Sequence, residues 1–478
     1  MNLARLAHRL LWGQRPISAR QASSSLADIV RRGEFRSLED EAVVQLLHRS
    51  FATEIARLKR VPTRPGEGDG SVPPGTLVWA SGKEKNDERL TPSRLLFQED
   101  FCEVNRSITN VLAVKWLMSD QYEVFTAHQP LASRLSVETF RAFRSDAQSV
   151  LDDPEQLLAL IVALVVGDLG KDPQLARDMP ASQGRCNHDE LLAQAVDLGF
   201  LDGPLGLLGP PQREDVILGI QVGATLNLPQ LLQGENVPAS LQAIFRFQSH
   251  SSAFFLKYLE IMFDVAGSAA HLDARGAITM TEPVCQSYLQ ALPILQEVVA
   301  GRTSLRQAYD KILHRRGQIL TEQGFRQLCP GHPADRALLR LLAMGRVADR
   351  DLAEKFQQAF ASLSEETRDA LVRGLNVDGH GDGTAVVLYY MPSVFAEALR
   401  ARHDGSFEDY VAALQSIMRF MARNLEAPSS ASDPEGEVPI RERDVSPVRE
   451  IVSSAQFRRD PQILDNYKLP ELSNRRRG

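Results

Sequence analysis

The chain is poor in cysteine and aromatic residues, has no basic excess, and contains no apolar run long enough to cross a bilayer. Its four cysteines (Cys102, Cys186, Cys285 and Cys329) are scattered through 478 residues without a CxxC pair. That spacing offers neither a disulfide framework nor a structural zinc site, and it fits a reducing compartment. Aromatic residues make up 6% of the chain, too few and too dispersed for a base-stacking platform. Lys and Arg number 54 against 61 Asp and Glu, a net charge of −7. A dedicated nucleic-acid binder normally presents the opposite field, so nucleic acid is not an expected partner. The sequence also lacks GxxxxGKS/T, GxSxG, HExxH and a GxGxxG following a strand, which removes several common catalytic and nucleotide-binding architectures.

What is present is a large apolar fraction, 43%, enough for a sizeable core. It peaks at Leu157–Val166, ten consecutive apolar residues that end abruptly in Gly167-Asp168-Leu169-Gly170-Lys171-Asp172. A membrane span needs ~20 such residues, so this stretch predicts a central helix buried on every side. Asp152-Asp153-Pro154-Glu155 opens it, with proline in the first turn. Asp168 and Lys171, three residues apart, then share one face where the helix leaves the core. A carboxylate there is costly unless it is paired, hydrogen-bonded or bound to a metal.

Helical spacing with little strand-like alternation dominates elsewhere, which predicts an all-α fold with disordered N- and C-terminal segments. Residues 1–30 are basic, with Arg5, Arg9, Arg15 and Arg20 opposite a stripe of leucines and no acid before Asp28. That composition suits a transit peptide or a plain basic terminus, so the expected address is mitochondrial or cytoplasmic. A helical stretch is expected over 31–60 and a linker or long loop over 61–95. A helical core follows at 96–300, a C-terminal helical region at 301–426, and a tail rich in Pro, Ser and charge at 427–478.

Two further segments carry polar residues in apolar surroundings. Asn187-His188-Asp189-Glu190 opens one helix, and His250 leads into AFFLKYLEIMFDVAGSAAHLDARG. If residues 250–271 form one helix, His250, Asp264 and His271 fall within ~40° of one direction, with Gly267 leaving room beside them. Asp273 and Arg275 follow at once. A lone buried His or Asp is ordinarily a satisfied core residue, whereas three on one apolar stripe make a candidate ligand site.

The order of these motifs, from His128 in FTAHQPLASRL through VGDLGKD, His188, His250 and Asp264, resembles the HD-domain superfamily of metal-dependent phosphohydrolases. The resemblance covers roughly residues 125–275. It implies an all-helical fold, a divalent metal held by His128, Asp168, His188, His250 and Asp264, and a small phosphorylated molecule as partner. Asp168 and Lys171 would then be the catalytic pair, the metal generating hydroxide and the lysine offsetting phosphate charge. One departure is plain: Gly167 stands where that superfamily carries the histidine of its His-Asp doublet. The phrases VGDLGKD, FDVAGSAAH and DARGAITMTEPV also look like an uncharacterised, mainly fungal protein family. The expected function is therefore a divergent HD-like protein, either a phosphohydrolase with an altered metal site or a relative that kept only the pocket. The alternative is a non-catalytic helical scaffold or interaction protein.

Asp378-Gly379-His380-Gly381-Asp382-Gly383-Thr384 imitates the first half of a calcium loop. Tyr389 stands at the twelfth position, where such a loop requires a bidentate glutamate. A polar turn ahead of the buried segment AVVLYYM is the expectation, with Asp378, His380 and Asp382 kept as candidate site residues.

Overall fold

The computed structural model describes residues 24–62, 91–179, 187–271, 273–402, 404–426, 439–469 and 476–477. Most of the basic terminus (1–23) and of the expected linker (63–90) lies outside these residues. Helices dominate the described chain, and an apolar core runs through them from Leu26 to Leu464. That core is continuous across residue 300, where a boundary between two helical regions was expected.

The N-terminal part consists of α1 (Leu26–Arg31), α2 (Asp40–Ser50) and α3 (Ala52–Leu58), so the helical stretch expected over 31–60 is two short helices, α2 and α3, behind a 3-10 turn at Phe35–Ser37. Then come α4 (Cys102–Met118), α5 (Val137–Leu151) and α6 (Pro154–Val166), the central helix. Asp153 caps α6 by accepting from the Glu155 N–H at 2.9 Å, satisfying a donor that the first turn leaves orphaned. Every residue from Leu157 to Val166 is at most 4% exposed. α1, α4, α5, α8 (Pro210–Gly223) and α9 (Ser251–Gly267) surround the helix, with α7 (His188–Asp197) against the turn that follows it. A helix apolar all round demands such wrapping.

Close approach of α4 and α9 depends on Gly267. A Cβ there would lie 1.9 Å from Asn110 Oδ1 and 2.8 Å from the Asn110 amide nitrogen. Gly170 has the same role against α7, where a Cβ would meet the His188 carbonyl oxygen at 1.9 Å.

The C-terminal part continues with α10 (Glu282–Val299), α11 (Leu305–Glu322), α12 (Pro333–Met344), α13 (Arg350–Ala361) and α14 (Glu365–Asn376). A short strand, β1 (Ala385–Tyr389), leads into α15 (Met391–Arg400) and α16 (Phe407–Asn424). β1 pairs in parallel with β2 (Ile440–Asp444), Ala385 opposite Ile440 and Tyr389 opposite Asp444. β3 (Arg476–Arg477) adds to β2 in antiparallel fashion.

The segment expected to be a tail without structure is folded over 439–469. After β2 come α17 (Val448–Ser453) and two further helical turns, and Val445, Val448, Val452, Phe457 and Leu464 are each fully buried. Proline, serine and charge dominate the average composition there. The few apolar residues nevertheless fall where each can reach the core, and burying them offsets the entropy of ordering the segment. Phe457 also packs under the Arg402 guanidinium, 5.3 Å from its ring centre.

Phe457→Ala should therefore cost about 3–5 kcal/mol in a denaturant titration, the range for emptying a buried aromatic site. A segment without fixed structure would leave the midpoint unchanged.

Candidate functional site

The turn after α6 carries Asp168 and Lys171 into a pocket of charge between α4 and α9. Lys171 Nζ lies 2.7 Å from Asp168 Oδ1 and 3.0 Å from Glu103 Oε2. Arg106 binds the other Glu103 oxygen at 3.1 Å. Asn110 donates from Nδ2 to Asp264 Oδ1 at 3.0 Å. Side-chain exposure is 10% for Glu103, 13% for Asp168 and 20% for Lys171, so little water reaches these groups. Asp168 Oδ2 is buried and has no hydrogen-bond partner among the described residues.

Five ionisable groups held this close cannot titrate independently. Burial opposes the charge on Asp168, but Lys171 and Arg106 outweigh it and hold that carboxyl well below the usual range. Burial pushes Glu103 and Asp264 the other way, and the negative charge of Asp168 adds to the push. Burial and Arg106 also work against the Lys171 ammonium, but Asp168, Glu103 and Asp264 more than restore it. Asp168 thus holds the firm negative charge, and Glu103 and Asp264 are the groups that take up protons.

A second pair lies beside the first. Lys257 Nζ meets Glu260 Oε1 at 2.9 Å, one turn along α9. A side chain at position 167 would start 3.6 Å from that same Glu260 oxygen. The space a doublet histidine would enter is therefore faced by a glutamate already bound to a lysine.

The remaining candidates do not gather here. His250 is the exposed residue preceding α9, and α9 ends at Gly267 rather than continuing to His271. His250 and Asp264 do point in similar directions. Fourteen residues of helix nevertheless set them ~21 Å apart along the axis, because a shared stripe is not a shared height. His271 lies past the helix end, with Nδ1 3.1 Å from the Ser268 carbonyl oxygen. His188 stands at the start of α7 with its side chain 41% exposed, 3.4 Å from Asp189 Oδ1. His128 joins a different group: its Nδ1 is 3.9 Å from Asp273 Oδ2, and Arg275 clamps the same carboxylate at 2.6 Å.

The Asp378 carboxylate is held by Arg336 at 3.0 Å and Arg306 at 2.5 Å. Asp382 turns back to accept from the backbone N–H groups of Asp378 and His380 at 2.8 and 3.2 Å, and His380 is exposed. These oxygens are used in closing and anchoring the loop rather than in forming a cation cage. Among the described residues, no three His, Cys, Asp or Glu side chains are grouped so as to hold a metal ion. The five-ligand metal set implied by the HD resemblance thus does not fit this donor arrangement, since its three histidines are dispersed and the carboxylates face cations of the protein itself.

A family model described as a family of unknown function, DUF6829, matches residues 44–464. The chain belongs to the DUF6829 family. The match takes in α4, α6, α9 and the whole charged pocket, and runs through the folded segment to Leu464. No curated protein and no solved structure matches this DUF6829 chain.

Glu103, Arg106, Asn110, Lys257 and Glu260 were not among the candidates read from the sequence. Their signal was present as spacing. Glu103, Arg106 and Asn110 recur at intervals of three and four in an otherwise largely apolar helix, as do Lys257, Glu260 and Asp264.

Two measurements follow from the electrostatics. Lys171→Met removes the nearest cation from the buried Asp168 while Glu103 keeps Arg106, so it should destabilise the protein by about 3–5 kcal/mol, toward the lower end because Lys171 retains some contact with water. Raised carboxyls contribute stability that is complete below their ordinary pKa and is lost as pH rises through the shifted value. Asp264→Asn keeps the acceptor for Asn110 and removes one such group. Its stability should therefore fall less than that of the wild type in denaturant titrations run from pH 4 to pH 8.

Proposed function

We propose that this protein is a non-catalytic helical scaffold of HD-like build, in which the Lys171 ammonium takes the place of a divalent cation. One observation carries the reading: a lysine tethered to the backbone sits 2.7 Å from Asp168 and 3.0 Å from Glu103. An ammonium so placed cancels carboxylate charge as a metal would, but it brings no open coordination position and no activated water. Arg106 on the far side of Glu103 completes the cancellation. Gly167 supports the same conclusion, since it supplies no imidazole and Glu260–Lys257 faces the space it leaves.

Such a site organises the junction of α4, α6 and α9. Its role on this reading is to fix the relative placement of the helices, leaving their outer faces to meet partners. The reading descends from the HD-like order of motifs, so a relation to phosphohydrolases and loss of their chemistry are parts of one proposal.

The test is calorimetric titration with Mn²⁺, Mg²⁺ and inorganic phosphate, run on the wild type and on Lys171→Ala alongside a phosphoester screen. The wild type should bind neither cation nor phosphate and turn over no ester. Removing the ammonium should leave Asp168 and Glu103 open to a cation, so millimolar Mn²⁺ should raise the melting temperature of Lys171→Ala and not that of the wild type. Stoichiometric metal in the purified wild type, or ester hydrolysis abolished by Asp168→Ala, would overturn the proposal.

A further inference from the structure

A second concentration of buried charge surrounds Glu235 and plays no part in the Lys171 site. Glu235, 5% exposed, sits in the turn between a short helix (Leu228–Leu232) and the 3-10 helix Pro238–Phe247. Its Oε1 accepts the backbone N–H of Tyr390, and the Met391 N–H also points to the carboxyl. Tyr390 is the residue preceding α15, and its φ is +80°. A non-glycine residue rarely holds that backbone region unless something outside it enforces the conformation. Here the enforcing group comes from 155 residues away in sequence. Glu235 therefore does for α15 what a local Ser or Asp does for most helices, satisfying donors of the first turn.

The backbone that carries Glu235 cannot follow if α15 moves, because it is pinned, so only a turn of the side chain itself can release the contact. Arg340, 2% exposed, donates to the carbonyl oxygens of Gly234, Glu235 and Asn236 at 3.0, 3.3 and 3.1 Å. The Tyr309 hydroxyl adds a bond of 2.7 Å to the Asn236 carbonyl oxygen. A rigid arm thus presents one carboxyl to the start of one helix.

The groups facing that carboxyl come from three elements. β2 contributes Glu442, itself 5% exposed; the turn after α12 contributes Arg346; and the last residue of β1 with the one after it contributes Tyr389 and Tyr390, with ring centres 4.1 Å apart. Two buried carboxyls facing one another are most cheaply kept with fewer than two charges. The rings of Tyr389 and Tyr390 supply no cation.

We infer that Glu235 is a proton-dependent latch, closed on the first turn of α15 when its carboxyl is protonated and progressively released as the proton is lost. Burial first, and Glu442 in support, push the carboxyl up to about 8 against the opposing pull of the Tyr390 N–H, Arg346 and the Met391 N–H. Swung into water, the same carboxyl ionises near its ordinary value of about 4.3. Opening therefore releases a proton over the whole interval between these values. By linkage, the population of the open form rises about tenfold per pH unit across that interval and levels off above it. The latch is tightest in acid, and neutral pH lies on its slope.

Hydrogen exchange resolved to single amides tests this on the full chain. The amides of residues 390–394, Pro392 having none, are compared with those of 160–166 in α6, each rate divided by its intrinsic rate. Between pH 5.5 and 8 the wild type should lose protection at 390–394 by about tenfold per pH unit once opening is detectable, while 160–166 show no matching local loss. Glu235→Gln retains a carbonyl acceptor for Tyr390 and has no proton to release, so its protection at 390–394 should be flat with pH. Glu442→Gln removes the facing charge and should end the slope at a lower pH. A wild type without the slope at 390–394 overturns the latch, as does a Glu235→Gln slope equal to that of the wild type. Were Glu235→Gln to fail to fold, the wild-type profile and the displaced end point of Glu442→Gln would decide the matter alone.

Discussion

Charge at the end of α6 has to be neutralised by the protein, because the helix delivers it to a place that water barely reaches. Once Asp168 is fixed there, a cation must lie within hydrogen-bonding distance or the carboxylate would bear most of its desolvation cost. Lys171 meets that need from the same turn, and its ammonium then has room for Glu103, which brings in Arg106 and with it the register of α4. Asn110 and Asp264 extend the same set across to α9, where Gly267 permits the approach. The placement of three helices thus follows from one buried charge. Removing a member of such a set does more damage than any one pair contributes, because the remaining members keep their burial and lose their partners.

Asp172, the last residue of the central stretch, shows the same logic reaching outward. It is 1% exposed and holds Arg57 at 3.2 Å and Arg60 at 2.6 Å. It also accepts from the Gln174 N–H at 3.0 Å to start the next short helix. α3 is thereby joined to the turn after α6 by charge as well as by apolar packing. Four residues, Asp168 to Lys171, and the aspartate that follows them connect most of the N-terminal half.

The central helix was legible in the sequence because ten apolar residues bounded by proline and glycine admit few other structures. Asp168 and Lys171 were legible as a pair because helical and near-helical spacing places them on one side. Their partners were not, because which stripe of α4 faces which stripe of α9 is settled by packing over more than 150 residues of separation. His250 shows how direction alone misleads: angular periodicity repeats along a helix while axial position does not. The histidines also made a poor guide because their order along the chain, which carried the HD-like reading, says nothing about convergence. The folded stretch after Pro439 was hidden for another reason. Average composition weighs every residue equally, whereas five well-placed apolar side chains suffice to anchor it.

The parallel pairing of β1 and β2 has a consequence for how the chain comes to be folded. Parallel neighbours cannot be joined by a tight turn, and here α15 and α16 lie between them. During synthesis β1, with Val386, Val387 and Leu388 in succession, leaves the ribosome well before its partner exists. Until β2 arrives, an apolar strand presents an unpaired edge, the arrangement most prone to recruiting a strand from another molecule. Completion of this small sheet is thus a step at which a nascent chain of this protein is open to misassembly.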